Sequence, residues 1–185
     1  MDLIENINIS KQLLRQEIRE LKKKADKQRM LSASQKIFHQ VEELTEFKSA
    51  KTILAYWSLP DEVQTHDFVM KWYREKQILL PIVAGEMLEI REFSGMECME
   101  PGSSFGILEP KKGKAVNNIN IDLVIVPGVA FDLQGNRLGR GKGYYDKLLK
   151  NKDTYKVGVC FDFQLVDKVP VDSFDISMNI VVQSI

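Results

Sequence analysis

Cysteine and histidine are scarce in this chain, with two of each among 185 residues. Cys98 and Cys160 lie far apart and form no C-x-x-C pair, which argues against a disulfide framework or a zinc site and leaves two ordinary reduced thiols. His39 and His66 have no partner at ligand spacing, so neither is given a role. No apolar run approaches the roughly 18 residues of a membrane span, and Met1 to Ser10 does not pair a basic start with an apolar core. Net charge is absent as well. The 26 basic and 26 acidic residues cancel, so no global field draws the chain onto nucleic acid or an anionic membrane, and any anion site must be local. A soluble, cytoplasmic, monomeric protein with no nucleic-acid or membrane partner is expected.

Apolar residues, by contrast, are plentiful: 44% hydrophobic content is enough to bury the core of one domain spanning residues 1–185. Leu13, Leu14, Ile18 and Leu21 recur at helical spacing and predict an amphipathic surface helix starting near a Ser10 cap. Ser32-Ala33-Ser34-Gln35 has capping-box spacing, and the apolar stripe Ile37, Phe38, Val41 and Leu44 follows, predicting a second helix from there to near Phe47. Thr52 to Trp57 reads as a strand, Ser58 to Glu62 as a loop, and Phe68, Val69, Trp72 and Tyr73 as a helical face. Gln77 to Val83 and Met87 to Phe93 read as strands around a turn at Ala84-Gly85-Glu86. Gly95 to Asn118 is a long irregular segment rich in Gly, Pro and charge, a kind of segment that is often functional.

Ile121 to Val126 is an almost continuous apolar run, as expected for a strand buried on both faces of a sheet. Tyr144 to Lys150 reads as a helix, and Lys156 to Phe161 and Met178 to Val182 as further strands. Strands alternating with helices predict an α/β fold, a three-layer Rossmann-like domain whose largely parallel central sheet is flanked by helices. Ligands bind such sheets beyond the carboxyl ends of the strands, which puts Ser58 to Glu62 and Pro127 to Tyr145 on the ligand edge.

The stretch GNRLGRGKGYYD, Gly135 to Asp146, holds four glycines and three basic residues in twelve positions. Successive glycines let several N–H groups point at one anion, and a following helix adds its positive dipole end. Arg137, Arg140 and Lys142 offer charge to a polyphosphate, and Asp146 offers a hard oxygen for Mg²⁺. The stretch is neither a Walker A loop nor the G-x-G-x-x-G dinucleotide fingerprint. Three other readings stand beside a phosphate cradle. The stretch can be a solvated glycine turn, the α/β fold can host sugar-phosphate isomerase or CoA-transferase-like chemistry, or the basic residues can bind RNA, which zero net charge disfavours.

Val126-Pro127-Gly128-Val129-Ala130-Phe131-Asp132 followed by GNRLGRGKGYYD resembles the signature of the 5-formyltetrahydrofolate cyclo-ligase family, also called 5,10-methenyltetrahydrofolate synthetases. Lys11 to Arg15, Ser58-Leu59-Pro60-Asp61-Glu62-Val63-Gln64-Thr65, and Phe161-Asp162-Phe163-Gln164 through Pro170 to Asp175 agree with it in order, so the resemblance spans nearly the whole chain. It implies ATP-dependent closure of 5-formyltetrahydrofolate to 5,10-methenyltetrahydrofolate, with Mg²⁺ and release of ADP and phosphate. In that chemistry the formyl oxygen is phosphorylated and folate N10 attacks the activated carbon. No protein nucleophile is needed, in keeping with the lack of a Ser/His/Asp or Cys/His arrangement.

The resemblance also implies roles. Lys11, Gln12, Leu13, Leu14 and Arg15 would reach ATP from the first helix. Arg137, Leu138, Gly139, Arg140, Gly141, Lys142, Gly143, Tyr144 and Tyr145 would wrap the triphosphate. Arg140, Lys142 and Tyr144 would be catalytic and, with Gly141 and Gly143, would also touch the folate. Trp57, Glu62 and Phe105 would complete the folate site, and Asp146 and Asp175 would hold the metal. Two positions depart from the family pattern: Phe105 where Trp is frequent, and Phe174 where His or Asn is common.

Overall fold

The apolar run before Pro127 forms a strand, Leu123–Val126, buried at all four positions. It lies in the middle of a six-stranded sheet. The computed structural model describes residues 3–102, 106, 108–117 and 119–184. In chain order it contains α1 (Leu3–Lys24), α2 (Lys27–Glu43), α3 (Thr45–Ser49), β1 (Thr52–Leu54), α4 (His66–Trp72), β2 (Gln77–Ala84) and β3 (Met87–Glu92). Then follow β4 (Glu100–Pro101), β5 (Leu108–Glu109), β6 (Leu123–Val126), β7 (Ala130–Phe131), β8 (Arg137–Leu138), α5 (Tyr144–Leu149), β9 (Tyr155–Cys160) and β10 (Ile180–Gln183).

The sheet order is β10-β9-β6-β1-β2-β3, parallel throughout except for the β2–β3 hairpin. Side chains alternate between two apolar layers, as the pleat dictates. Ile53, Ile78, Leu80, Leu123, Ile125, Val157 and Val159 share one buried cluster with Ile37 and Val41 of α2, Phe47 of α3, and Phe68 and Val69 of α4. Leu54, Leu79, Val124, Val126 and Cys160 point the other way, against Leu149 of α5 and Phe131. Each buried aliphatic or aromatic side chain contributes on the order of 1.5–3 kcal/mol. The expected three-layer α/β arrangement with a largely parallel sheet is therefore the one observed. A third, smaller cluster seats Leu14 and Ile18 of α1 on Ala130, Leu138 and Val169.

Helix starts differ from the sequence expectation. Ser10 is inside α1, where its hydroxyl donates to the Asn6 carbonyl at 2.9 Å. The second helix begins at Lys27, not Ser32, because Asp26 caps it by accepting from Arg29 N at 2.8 Å. Ser34 lies mid-helix, donates back to the Met30 carbonyl and accepts from Gln64 N at 3.0 Å, so it docks the segment after β1. Serine hydroxyls satisfy a carbonyl one turn back as readily as they cap, and the two uses look alike in sequence. The chain breaks at Leu44, and Phe47 belongs to the separate helix α3. The first strand stops at Leu54 rather than Trp57. Within the described part of Gly95 to Asn118, β4 and β5 pair as a short antiparallel ribbon.

Successive crossovers leave β1 toward β2 on one side and β6 toward β9 on the other. The point where the direction reverses thus lies between the carboxyl ends of β1 and β6, where open α/β sheets form their binding crevices.

Candidate active site

A cleft with about 1000 Å³ of empty space, counting its open mouth, occupies that switch point. Four segments wall it. Trp57 and Glu62 come from the loop after β1, Pro127 through Asp146 from the segment after β6, Pro81, Val83 and Leu88 from the β2–β3 hairpin, and Leu108 and Glu109 from β5. The hairpin and β5 walls were not foreseen from the sequence, which marks neither as chemically special.

The loop after β1 is built by its own hydrogen bonds. Ser58 N donates to Thr65 Oγ1 and Thr65 N to Ser58 Oγ, both at 3.1 Å. Tyr56 Oη donates to the Val63 carbonyl at 2.8 Å, and Gln64 Nε2 donates to the Leu59 and Glu62 carbonyls. Glu62 Oε2 accepts from Leu59 N at 3.0 Å, which aims the other carboxylate oxygen across the cleft.

The glycine stretch is folded by Asp132, a fully buried carboxylate that accepts from Gln134 N, Asn136 N, Asn136 Nδ2 and Val169 N at 2.9–3.1 Å. Burial raises its pKa, but these donors outweigh it and hold the carboxyl below the ordinary range. Gly143, at φ +65°, precedes α5 and takes the left-handed conformation that glycine adopts freely. At six residues, α5 adds only a small dipole.

The three cations of the stretch have different surroundings. Arg137 is buried and makes two contacts of 2.9 Å from Nη2 to both carboxylate oxygens of Asp146. Arg140 spans the cleft to Glu62 at 2.9 Å and to Asp61 at 3.2 Å. Burial disfavours its charge, yet Glu62 and Asp61 raise its pKa above that of a free arginine. Lys142 is exposed on the cleft wall and has no ion-pair partner among the described residues.

Aromatic groups stand beside these charges. Tyr144 Oη donates to the Gly85 carbonyl at 3.2 Å, and Lys147 Nζ to the Glu86 carbonyl at 3.1 Å, so the β2–β3 turn is bonded to α5. Tyr145 Oη is buried with no hydrogen-bond partner among the described residues. Burial and the nearby Glu62 push its pKa far up, so it remains a protonated donor.

α1 approaches from the side. Arg15 Nε donates to the Gly139 carbonyl at 2.9 Å, which brings α1 against the glycine stretch. Lys11 Nζ is buried between Asp172 and Asp175, at 2.7 and 2.5 Å. Burial works against its ammonium, but both aspartates outweigh that and raise its pKa. Leu14 packs inward, while Gln12 and Leu13 are exposed on the opposite face.

Of the residues picked out by sequence, Trp57, Glu62, Arg137, Gly139, Arg140, Lys142, Gly143, Tyr144, Tyr145 and Asp146 line one cleft. Lys11 and Asp175 sit together beside it rather than on its wall, and Phe105 lies outside the described residues. Asp61, which joins Lys22 of α1 at 3.0 Å to Arg140, was missed as a separate contributor. Its signal was present in the quoted Pro60-Asp61-Glu62 stretch, where two adjacent acids faced a basic loop. Asp172 was also passed over, because its partner Lys11 is distant in sequence.

A largely parallel sheet flanked on both faces, with an ionic cleft at its switch point, defines the class: an α/β protein with a candidate site at the carboxyl edge of its sheet. The model of the 5-formyltetrahydrofolate cyclo-ligase family matches residues 7–184, and the chain belongs to that family of enzymes. A 5-formyltetrahydrofolate cyclo-ligase of Haemophilus influenzae is 30% identical, covering 91% of this chain and 94% of its own. One from Escherichia coli K12 is 34% identical over 72% of this chain and 78% of its own. The NMR structure of Aquifex aeolicus 5,10-methenyltetrahydrofolate synthetase superposes with a TM-score of 0.84 at 36% identity, over 94% of this chain and 89% of that one. Among the described residues no helix is long and apolar enough to cross a membrane.

Proposed function

We propose that this chain catalyses the ATP- and Mg²⁺-dependent cyclisation of 5-formyltetrahydrofolate to 5,10-methenyltetrahydrofolate, releasing ADP and phosphate. The observation that carries the reading is the meeting of two kinds of group across one cleft. Trp57 and Glu62 offer a flat face and a carboxylate suited to a folate ring, and Lys142, Arg140 and Tyr145 face them with charge and a free donor.

In this mechanism the γ-phosphoryl group passes to the formyl oxygen as its bond to the β-phosphate oxygen breaks, and ADP leaves. Folate N10 then attacks the formyl carbon and loses its proton, and the carbon–oxygen bond breaks to expel phosphate. The protein's work is positioning and charge neutralisation. Lys142 is the cation with no carboxylate to leave, so it meets the phosphoryl group first. Arg140 shares Glu62 with the folate's N–H donors, and as the ligand takes the carboxylate the guanidinium turns to phosphate oxygens. Tyr145 supplies its unpaired hydroxyl to a phosphate oxygen. Arg15 holds Gly139, and Lys11 holds Asp172 and Asp175 beside the cleft. Arg137 acts by fixing Asp146.

Among the described residues no cluster of three or more His, Cys, Asp or Glu is placed to hold a metal. Magnesium suits such a site when one or two carboxylates share it with nucleotide phosphates, and Asp146 on the cleft wall and Asp175 would be those carboxylates, using lone pairs beyond those that face Arg137 and Lys11. Bound there, the ion would neutralise charge on the phosphates.

The test mixes the protein with Mg·ATP and 5-formyltetrahydrofolate and follows the absorbance of the methenyl product. Product formation is expected, and an absence of product above a protein-free control overturns the reading. Lys142→Ala is expected to lower kcat roughly 10²- to 10³-fold with an unchanged melting temperature, since the side chain is exposed.

A further inference from the structure

His66 opens α4 and is bound to the folate wall of the cleft although it does not line it. Its imidazole stacks on the Trp57 indole with ring centroids 4.1 Å apart and planes 25° from parallel. Trp57 also stacks with Phe93, at 5.8 Å and 27°. The backbones carrying Trp57 and His66 are locked together. Ser58 and Thr65 exchange two hydrogen bonds of 3.1 Å, and Thr65 Oγ1 donates to the Tyr56 carbonyl at 2.5 Å. Thr65 is fully buried, so this clamp is shielded from water. One nitrogen of the ring, Nε2, is buried with no hydrogen-bond partner among the described residues. Burial lowers the imidazole's pKa, with a backbone hydrogen bond to Ser58 and the charge of Asp67 opposing it, so the ring is neutral near pH 7 and lies flat on the indole as an aromatic surface.

We propose that His66 is a positioning residue for the folate half of the site, fixing the angle at which Trp57 meets a flat heterocyclic ligand. This rests on the cyclo-ligase reading. Two short segments, 56–58 and 65–66, are stapled by the Ser58–Thr65 exchange, and the loop they close carries Glu62. The stack sets the side-chain half of the same geometry. The groups assigned to phosphate, Lys142, Arg140 and Tyr145, belong to the segment after β6, and Arg140 meets the loop through the carboxylates of Asp61 and Glu62 rather than through His66. Loss of the stack therefore acts on the folate and leaves ATP alone.

The experiment measures steady-state kinetics of the full-length wild type, His66→Ala and His66→Phe, varying 5-formyltetrahydrofolate at saturating Mg·ATP and then the reverse. His66→Ala is expected to raise the folate KM roughly threefold to tenfold, with kcat and the ATP KM held within about twofold, and His66→Phe to restore the folate KM. An unmoved folate KM in His66→Ala overturns the proposal. So does a rise in both KM values with a lowered melting temperature, or a His66→Phe enzyme that behaves like His66→Ala. Should His66→Ala not fold, His66→Leu keeps bulk without an aromatic face and is read the same way. Wild-type protein that makes no methenyl product removes the cyclo-ligase reading and this inference with it, whereas wild-type turnover with an unmoved folate KM in His66→Ala removes this inference alone.

Discussion

At the scale of single residues, Asp132 organises more of the site than any side chain in the cleft. Among the described residues it pairs with no cation, and its donors come from the 132–136 turn and from Val169. Asp132→Asn replaces an acceptor-only group by one that must present two N–H donors to other donors. It should cost about 2–3 kcal/mol in urea denaturation, the range for hydrogen bonds to charged groups, and should lower activity because the glycine stretch loses its anchor. Arg137 makes the converse point. Its charge is matched inside the protein by Asp146, whereas Lys142 is exposed and has no ion-pair partner among the described residues.

At the scale of elements, the turn between β7 and β8 is fitted to the segment before β10. Met178 N donates to the Gly135 carbonyl at 2.8 Å, and a Cβ on Gly135, which has φ +84°, would lie 2.5 Å from the Met178 carbonyl oxygen. Gly85, at φ +62° in the β2–β3 turn, has open space where its Cβ would be. Gly85→Ala should therefore cost only the left-handed conformation, about 1–2 kcal/mol. Gly135→Ala adds a backbone clash and should cost clearly more, and equal shifts in urea midpoint for the two variants would contradict this account. The strands of the central sheet were legible in sequence as apolar runs, such as Leu123 to Val126, whereas the two-residue strands β4, β5, β7 and β8 were not. Helix starts were not, because Ser10 and Ser34 bond carbonyls one turn back within helices while the cap is Asp26. The glycine stretch was legible through its composition. The pairing of its cations was not, because Asp61, Asp146 and Asp172 compete with ligands for Arg140, Arg137 and Lys11, and only the folded chain decides which wins.

At the scale of the whole molecule, stability should fall in acid through identifiable carboxylates. Asp132 and Asp172 both titrate below their ordinary value of 3.8, Asp132 through its donors against burial and Asp172 chiefly through Lys11. A carboxyl depressed in the folded state stabilises above its unfolded pKa, and that contribution is lost as pH falls through the folded value. Melting temperature should drop below about pH 4, and Asp132→Asn should flatten that drop. Lys11, raised above 10.5, contributes below that pH and loses its contribution as pH rises through the folded value. Lys11 also ties helix α1 to residues 161 and 164 positions later, and the apolar partners of Leu14 and Ile18 lie at Val129 and beyond. During synthesis α1 therefore keeps its apolar stripe uncovered until the segments around Val129, Leu138 and Val169 have been made.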